Sequence, residues 1–501
     1  MSQHVINQVR RGFYLDSVAL MRLSARLREL PGVVEAVLMI GTESNRGIMD
    51  AAGLLTAAGR AAGPEDLVIA LCADDEPAAH AALAAAEAAL AQGVSAAAGE
   101  LHRPRTLDGA LEALPAANLV LISTPGEFAA REARAALARG LNVMIFSDNV
   151  SLSEERALKQ DAARRGLLLM GPDCGTAYIA GVPIAFANEV PRGRVGVVAA
   201  SGTGLQELAV LLARRGAGIS HGIGVGGRDL SDAVGGIATH AAIDLLAGDA
   251  HTEHVVLISK PPGDATAREV FAHLAACGKP ASACVFGIAP ERLPAGIAFA
   301  PTLDALAQQL TGKAIASGDV TARAQFLAAS LPAARRSIRG LFAGGTLCTE
   351  AQVVLHAAGL RVHSNAPLHA AAETDAQNTL LDLGADEYTL GRPHPMIEPA
   401  VRTPLLAAAL ADAQCAVVLL DVVLGHGAHA DPARAVADAV RAAGAERPCV
   451  VASVCGTAAD PQRRDDQVRT LEHAGVVVAR SNAAAAALAA AIGAMRQHAA
   501  R

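Results

Sequence analysis

Short runs of apolar residues alternate with helical segments along almost the whole chain. Runs such as VVEAVLMIGT, ANLVLIST, RVGVVAAS, HVVLISK and AVVLLDVVLG have the length and the Val, Ile and Leu content of buried strands. Between them lie segments such as DSVALMRLSARLREL and the Ala-rich PAAHAALAAAEAALAQ, which are typical of helices that flank a sheet. This alternation predicts an α/β fold with mostly parallel sheets.

The alternation also predicts several domains, because a single hydrophobic core seldom grows beyond about 250–300 residues. We predict a small α/β sandwich, a Rossmann-like domain, a third sheet domain, a connecting segment and a last sheet domain, over residues 1–105, 106–192, 193–310, 311–337 and 338–501. The third and last domains both open with a strand, a turn of small residues and a helix. We interpret this similarity as an internal duplication.

Composition excludes several classes of protein. A hydrophobic content of 52% against 18% charged residues is not that of a disordered chain. A net charge of −7 gives no basic surface, so we expect no nucleic-acid partner. Neither a secretory signal nor a long apolar run is present, and the eight cysteines form no CxxC pair. These features predict a cytoplasmic protein with reduced thiols and no membrane partner.

Two helix starts of similar sequence are the main candidates for chemistry. They lie in AASGTGLQELAVLLARRG, residues 199–216, and FAGGTLCTEAQVVLHAAG, residues 342–359. The first backbone N–H groups of a helix are unpaired and carry partial positive charge, and small residues let an anion approach them. We predict that both helices point at one phosphate, which would be bound by Ser201, Gly202, Thr203, Gly344, Gly345 and Thr346. The alternative is two ordinary turns with Ser or Thr caps.

The segment GPDCGT follows the apolar run LLLM, and the carboxyl ends of parallel strands are where such folds bind ligands. We predict a substrate-binding loop formed by Asp173, Cys174, Gly175 and Thr176. Cys174 could be a nucleophile or a structural cysteine. No His follows it at a diagnostic spacing.

Glycines 222, 224 and 227 form a literal G-x-G-x-x-G. A dinucleotide site also needs an acidic residue at the end of the next strand, and that strand ends in Lys260. We therefore predict a flexible loop beside the anion site, and the lack of a G-x-x-x-x-G-K-[ST] sequence gives no sign of a P-loop.

Two further loops contain residues that could act on a substrate. In GRPHPMIEP, Arg392 could bind a carboxylate or phosphate with its planar fork, and His394 could carry a proton, so we predict both as catalytic. The alternative for this segment is a surface loop with incidental polar residues. In LGHGAHADP, His426, His429 and Asp431 could ligate a metal, but we expect a polar loop tip and no metal.

The order of these motifs resembles succinyl-CoA synthetase. GPDCGT, GVVAASGTGLQE and GIGVGGRDLSD look like its α subunit, and FAGGTLCTEA, LLDLGAD, VVLLDVVLGHGAHADP and VVASVCGTAADP look like the carboxyl-terminal ligase domain of its β subunit. One chain that joins these pieces behind an extra amino-terminal domain resembles the FdrA family. The resemblance covers about residues 110–501 and implies a Rossmann-like CoA-binding-type domain followed by two flavodoxin-like ligase domains.

The chain also departs from the synthetase. The resemblance would place a phosphorylated His after ASACVFG, yet no His occurs from residue 274 to 355. The ATP-grasp domain has no counterpart, and the Gly-rich CoA loop has no clear counterpart before Asn118. We therefore expect neither ATP hydrolysis nor a phosphohistidine.

The FdrA resemblance implies a carbamoyltransferase subunit in purine-ureide (allantoin) breakdown, where oxalurate and phosphate give oxamate and carbamoyl phosphate. On this hypothesis the substrates are phosphate and oxalurate or a similar N-carbamoyl acid, no cofactor is required, and further protein subunits are expected. A second hypothesis is an acyl-CoA synthetase that binds CoA. A third is a non-catalytic assembly subunit.

Overall fold

The computed structural model describes residues 4–13, 15, 17–96, 104–315, 319–368, 377–389 and 393–498. The chain forms two compact units. The first comprises Met1–Ala117 with Asp386–Glu398, and the second comprises Asn118–Ala385 with Pro399–Arg501. Both are built from the alternating strands and helices that the hydrophobic pattern predicts.

The first unit is an α/β sandwich around a three-stranded antiparallel sheet with the order β1-β3-β2. Its elements are β1 (His4–Arg10), α1 (Ser17–Arg28), β2 (Val33–Ile40), α2 (Glu43–Ala51), α3 (Ala57–Arg60), β3 (Leu67–Ala73), α4 (Glu76–Ala96) and α5 (Leu107–Ala113). The central strand β3 is buried along its whole length, because α1 and α4 cover one face of the sheet and residues of the α2–α3 region cover the other. The sequence pattern predicts all of these strands except β1.

The second unit opens with a short parallel sheet of order β4-β5-β6. Its elements are β4 (Leu119–Ile122), α6 (Gly126–Ala138), β5 (Asn142–Ile145), α7 (Leu152–Arg164) and β6 (Leu169–Met170). Each strand arises from one of the predicted apolar runs. Helix α7 begins at a cap in which Ser151 accepts a hydrogen bond from the Glu154 N–H.

A seven-stranded sheet follows, with the order β13-β12-β11-β9-β10-β7-β8. Its elements are β7 (Thr176–Ile179), β8 (Val182–Ala185), β9 (Arg192–Ala199), α8 (Gly202–Ala213), β10 (Ile219–Gly224), α9 (Ile237–Gly248), β11 (His254–Ser259), α10 (Asp264–Ala275), β12 (Ala281–Val285), β13 (Ile297–Phe299) and α11 (Leu303–Thr311). The five parallel strands β9–β13 have the flavodoxin order. Strands β7 and β8 extend the sheet with antiparallel pairs, so it runs across residue 192, where the sequence predicts a domain boundary.

The last sheet is entirely parallel, with the order β15-β16-β14-β17-β18-β19. The remaining elements are α12 (Val320–Ala329), β14 (Ser337–Phe342), α13 (Gly345–Ala357), β15 (Val362–Ser364), β16 (Asn378–Asp382), α14 (Asp386–Thr389, part of the first unit), α15 (Thr403–Ala411), β17 (Cys415–Val423), α16 (Pro432–Ala442), β18 (Cys449–Cys455), α17 (Arg464–His473), β19 (Val477–Ala479) and α18 (Asn482–His498). Strand β17 is buried at all nine residues because helices cover both faces of a parallel sheet. Strands β14 and β16–β19 repeat the flavodoxin order, which supports the duplication.

The structure also describes the state of the cysteines and the length of the apolar helices. All eight cysteines are free, and six of them are buried. Among the described residues, no helix combines the length and the hydropathy that are needed to cross a membrane.

Candidate functional site

The N-termini of α8 and α13 meet in the second unit. Ser201 caps α8 by accepting a hydrogen bond of 2.8 Å from the Gly204 N–H, and its hydroxyl oxygen lies 2.5 Å from that of Thr346 in the first turn of α13. The Thr203 side chain lies against Gly344, since a β-carbon on Gly344 would come within 3.0 Å of it. We call residues 201–204 and 344–347 the paired helix N-termini.

The backbone of this site offers a group of hydrogen-bond donors. In the described part of the chain, no acceptor faces the N–H groups of Gly202 and Thr203 in α8, or those of Gly345, Thr346 and Leu347 in α13. Each helix start also carries about half a positive charge. Five amide donors and two helix dipoles make a site suited to a multiply charged oxyanion such as phosphate.

One buried carboxylate already occupies the backbone just before α13. Asp421 of β17 accepts hydrogen bonds of 2.7 Å each from the N–H groups of Ala343 and Gly344. Burial raises the pKa of Asp421, and Arg402 and these two donors oppose that rise. The donors that remain for a ligand therefore begin at Gly345.

Glycine is needed at Gly345 because other groups approach its backbone closely. A β-carbon there would overlap the Asp382 carboxylate and would lie 3.1 Å from Lys260 Nζ. At Gly202, a β-carbon would lie 3.1 Å from Thr176 Oγ1. The small residues of both turns therefore leave room for side chains from neighbouring strands.

Lys260 is a candidate site residue that sequence reasoning used only to argue against a dinucleotide. It follows β11, the neighbour of β9, and β9 leads into Ser201. Its ammonium group lies 4.0 Å from Asp382 Oδ2 and its side chain is 43% exposed. The order of the strands reverses between β9 and β11, and ligands bind in such folds at the carboxyl ends of those strands. That position is the signal that could have identified Lys260.

The structure brings only part of the predicted substrate loop to the paired helix N-termini. Thr176 lies beside Gly202, and its hydroxyl donates a hydrogen bond of 2.7 Å to the Phe186 carbonyl. Cys174 is buried, with its sulfur 3.2 Å from the Gly224 carbonyl. The Asp173 N–H donates to the Ser147 carbonyl and the Gly175 carbonyl accepts from Phe186. Substrate binding by these four residues stays a prediction.

Cys174 is not suited to be a nucleophile. Burial raises the pKa of its thiol to about 12, and the hydrogen bond to the Thr176 carbonyl opposes this rise. A thiol with such a pKa is almost entirely protonated near pH 7, and the thiolate is the reactive form.

We therefore expect Cys174→Ala to retain turnover within about threefold of the wild type, because little beyond packing is lost. The native protein should also incorporate no iodoacetamide at Cys174 by peptide mass analysis, with urea-unfolded protein as the positive control. Labelling of Cys174 in the folded protein, or complete loss of turnover in a folded Cys174→Ala variant, would contradict this assignment.

The predicted flexible loop begins later than the glycine pattern suggests, because Gly222 and Gly224 lie in strand β10 and only Gly227 follows it. The loop after β10 packs against the GPDCGT segment. Gly226 has a φ of +86° and lies against the carbonyl of Pro172, where a side chain could not fit. Just beyond it, Asp229 is fully buried and accepts hydrogen bonds from the backbone and hydroxyl of Thr239 at the start of α9. These contacts give the loop a structural role beside the Rossmann-like sheet.

The LGHGAHADP segment forms a loop tip whose histidines have protein partners. His426 Nε2 lies 2.6 Å from Glu189 Oε1, and His429 Nδ1 accepts a hydrogen bond of 3.1 Å from the Asp431 N–H. Within the described ranges, His, Cys, Asp and Glu side chains form no group of three that could hold a metal ion.

The structure describes one of the two residues predicted as catalytic in GRPHPMIEP. Arg392 lies outside the described residues. His394 belongs to the first unit, where its Nδ1 accepts a hydrogen bond of 3.2 Å from the Met396 N–H. The roles of Arg392 and His394 stay predictions.

Two families match separate parts of the chain. The family described as CoA-ligase matches residues 341–492, and the family described as AllF, heavy metal-associated domain, matches residues 1–104. The first match covers α13 and most of the last, entirely parallel sheet. The second covers the antiparallel sheet of the first unit.

Among the similar proteins, one matches almost the whole chain and another matches only a part of it. The uncharacterized protein YahF of Escherichia coli (strain K12) is 40% identical over 488 residues, which is 94% of this chain and 95% of YahF. The α subunit of ADP-forming succinate–CoA ligase from Aquifex aeolicus (strain VF5) is 29% identical over 153 residues, 29% of this chain and 49% of that subunit. The chain thus matches about half the length of the ligase subunit.

Solved structures that are similar to parts of the chain include PH0766 from Pyrococcus horikoshii OT3, at 16% identity and a TM-score of 0.28 over 77% of this chain and 85% of that one. The dinucleotide-forming acetyl-coenzyme A synthetase 1 of Ca. Korarchaeum cryptofilum matches at 17% identity and a TM-score of 0.29, over 76% of this chain and 84% of that one.

Proposed function

Because this chain belongs to the same family as the Escherichia coli protein YahF and contains a CoA-ligase domain, we propose that it transfers an acyl group to or from phosphate. The observation that supports this proposal is the convergence of α8 and α13, where Ser201 and Thr346 are in hydrogen-bond contact. Five amide donors, for which the described residues offer no acceptor, lie at these two helix starts, and the Lys260 ammonium lies beside Gly345.

The proposed acyl transfer moves negative charge from the phosphate to the donor. A phosphate oxygen attacks the carbonyl carbon of the donor, an O–C bond forms, and the bond from that carbon to the leaving group breaks. Negative charge moves from phosphate onto the carbonyl oxygen in the transition state. Preorganised N–H groups and a cation stabilise such charge without reorganising. The paired helix N-termini and Lys260 would bind phosphate and orient its attacking oxygen.

The comparisons favour a donor of the acyl-CoA type. The CoA-ligase family matches the region around α13, and the α subunit of a succinate–CoA ligase is similar to part of the chain. On this proposal CoA is the leaving group and the acyl phosphate is the product, or the reaction runs in reverse. CoA is then an expected ligand.

The second candidate is carbamoyl transfer from oxalurate to phosphate. Two observations favour it: the AllF family matches residues 1–104, a name that points to allantoin breakdown, and the segment from residue 274 to 355 contains no His that could carry phosphate. The bond between the carbamoyl carbon and the oxamate nitrogen breaks, that nitrogen takes a proton, and carbamoyl phosphate and oxamate form. On this candidate no cofactor is required and further protein subunits are expected.

One set of assays separates these candidates. The full chain, alone and with proteins encoded by neighbouring genes, is incubated with phosphate and oxalurate, and carbamoyl phosphate is trapped as citrulline. In parallel, an acyl phosphate and CoA are supplied and the thioester is measured. We expect the double variant Ser201→Ala, Thr346→Val to lose about 10–100-fold in kcat/KM, because two hydroxyls that orient the donors are removed.

Thr302→Val is the matched control, since Thr302 caps α11 in the same way. Wild-type turnover in the double variant would exclude the paired helix N-termini from the reaction. It would support the third possibility, a subunit that serves assembly only.

We also expect the chain to form no phosphohistidine. Incubation with γ-³²P-labelled ATP should give no acid-labile labelled band on a gel, because the segment after β12 contains no His to accept the phosphoryl group. A purified synthetase that is known to form the phosphohistidine serves as the positive control. A labelled band for this chain would overturn the proposal that phosphate reacts directly.

A further inference from the structure

The two helices that form the site also share a buried pair of carboxyl groups. Glu207 is the sixth residue after Ser201, and Glu350 is the sixth residue after Gly344, so the duplicated helices place an acid at the same position. Both side chains are buried, at 2% and 1% exposure. Neither residue is required by the phosphate site itself, which lies about two turns closer to the helix starts.

Asn482, at the start of α18, connects the two acids. Its backbone N–H donates a hydrogen bond of 3.1 Å to Glu207 Oε1. Its side-chain amide donates bonds of 2.7 Å to Glu350 Oε2 and 2.9 Å to the Leu347 carbonyl. The other oxygen of Glu350 accepts a bond of 2.7 Å from the Leu303 N–H. One residue therefore binds α8 and α13 at the same time.

The surroundings favour a proton in this cluster. Burial raises the pKa of both acids, that of Glu350 to about 8, and the charge of Glu207 adds to the rise at Glu350. The Asn482 side-chain oxygen is buried and accepts no hydrogen bond from the described residues, so this cluster of acceptors is short of a donor. Protonation of a carboxyl group adds one donor to the cluster.

The charged and titratable groups around the two acids determine which protonation state is favoured. Glu207 faces Arg214 of its own helix, the Cys455 thiol of β18 and Asp304 of α11. Glu350 faces Glu207 and Asp304, and the Cys284 thiol of β12 feels its charge. Asp304 is itself paired with Arg215 and Arg480. Arg214 is therefore the cation that directly favours the ionised form of Glu207.

We propose that Asn482, Glu207 and Glu350 form a proton-dependent clamp that sets the spacing of the paired helix N-termini and thereby the affinity for phosphate. The proposal rests on the proposed function for its readout in phosphate affinity. When the cluster loses its proton, two negative charges lie between the helices and repel each other and the bound anion. Asn482 is a positioning residue, since it acts on phosphate only through the two helices.

The binding test measures the Kd for inorganic phosphate by calorimetry on the full chain. We expect Asn482→Ala to weaken binding about tenfold at pH 7, because the link between the helices is lost. Gln497→Ala is the matched control: Gln497 lies on the same helix and donates two partly buried hydrogen bonds, to the Arg336 carbonyl and the Asn378 side chain and not to either acid. Equal Kd values for wild type and Asn482→Ala, or equal weakening in the control, would overturn the clamp.

The pH test uses Glu350→Gln, which cannot ionise. Between pH 7 and 9 the wild type should lose about three- to tenfold in phosphate affinity relative to this variant, and the ratio cancels the titration of phosphate itself. A ratio that does not change with pH would contradict the role of the proton.

A second readout needs no phosphate. A folded-state pKa above the unfolded value makes the wild type less stable as pH rises from about 4.5 to about 8, so its Tm should fall more steeply than that of Glu350→Gln over this range. Absence of phosphate binding in the wild type would count against the proposed function, whereas parallel Tm profiles would count against the clamp.

Discussion

Replacing Lys260 with methionine should weaken phosphate binding by about 10–100-fold, because one charged hydrogen bond contributes about 1.5–3 kcal/mol. The ammonium group lies at the start of α13, 3.1 Å from the position of a β-carbon on Gly345. Methionine keeps the length and apolar stem of the side chain and removes only the charge. Calorimetry with inorganic phosphate and the kcat/KM of the phosphate-dependent reaction are the two measurements.

The chain offers a matched control for this substitution. Lys313 donates to the Arg215 carbonyl at the carboxyl end of α8, about 18 Å along the helix from Ser201 by the helical rise of its 12 residues. Lys313→Met should leave the Kd for phosphate within about twofold of the wild type, because screened charges at that distance interact weakly. Lys260→Arg should retain most of the affinity. If Lys260→Met binds phosphate as the wild type does, Lys260 does not belong to the site.

Replacing Asp382 should have the opposite effect on the affinity for phosphate. Its carboxylate lies 4.0 Å from Lys260 and beside the backbone of Gly345, so it competes with phosphate for both. Asp382→Asn removes this negative charge and should tighten phosphate binding. Weaker binding in a folded Asp382→Asn variant would instead indicate that Asp382 orients Lys260 toward the ligand.

The second large effect concerns stability. Lys159→Met should lower the free energy of unfolding of the second unit by about 3–5 kcal/mol, because it leaves buried carboxylates without their cation. Lys159 is fully buried and bonds to Glu155 Oε1 at 2.7 Å and Asp229 Oδ1 at 2.8 Å. Arg228, the other cation of this network, pairs with the second oxygen of Glu155. Urea unfolding followed by circular dichroism measures the loss.

Arg164→Met on the same helix is the control for Lys159→Met. Arg164 pairs with Asp161 at 3.1 Å, but its side chain is 67% exposed. Exposed pairs contribute about 0–1 kcal/mol, so this change should be nearly neutral. Adding Glu155→Gln and Asp229→Asn to Lys159→Met should recover part of the loss, since no uncompensated charge then stays buried. A near-neutral Lys159→Met would show that the network does not carry the stability assigned to it.

Local sequence determines the elements of this protein well. A buried parallel strand is a continuous apolar run, so β9, β11, β17 and β18 are visible in the sequence alone. Strand β1 was missed because HVINQVR alternates little and all seven residues are only half-buried at the edge of an antiparallel sheet. The pattern also does not predict β7, β8, β13, β15 and β16, because each has at most five residues and none is a long apolar run.

The two helix starts are predictable from the sequence for the same reason. The two helix starts are local features: a strand, a turn of small residues and a helix suffice to identify them, and the duplication suggests that they face each other. The nucleophile hypothesis for Cys174 could not be decided from the sequence, because reactivity depends on burial. The end of strand β10 at Gly224 packs on that thiol and contributes to its burial.

The α/β class, the long buried strands and the two turns that lead into α8 and α13 follow from the sequence alone, since each depends on neighbours within a few residues. Which distant groups meet at these turns depends on the tertiary structure. It placed Lys260 and Asp382 beside Gly345, gave Asp421 the N–H groups of Ala343 and Gly344, and put Asn482 between two acids. These contacts join residues far apart in the chain, and they exist because the N-termini of α8 and α13, which follow the first strands of two flavodoxin-like sheets, meet.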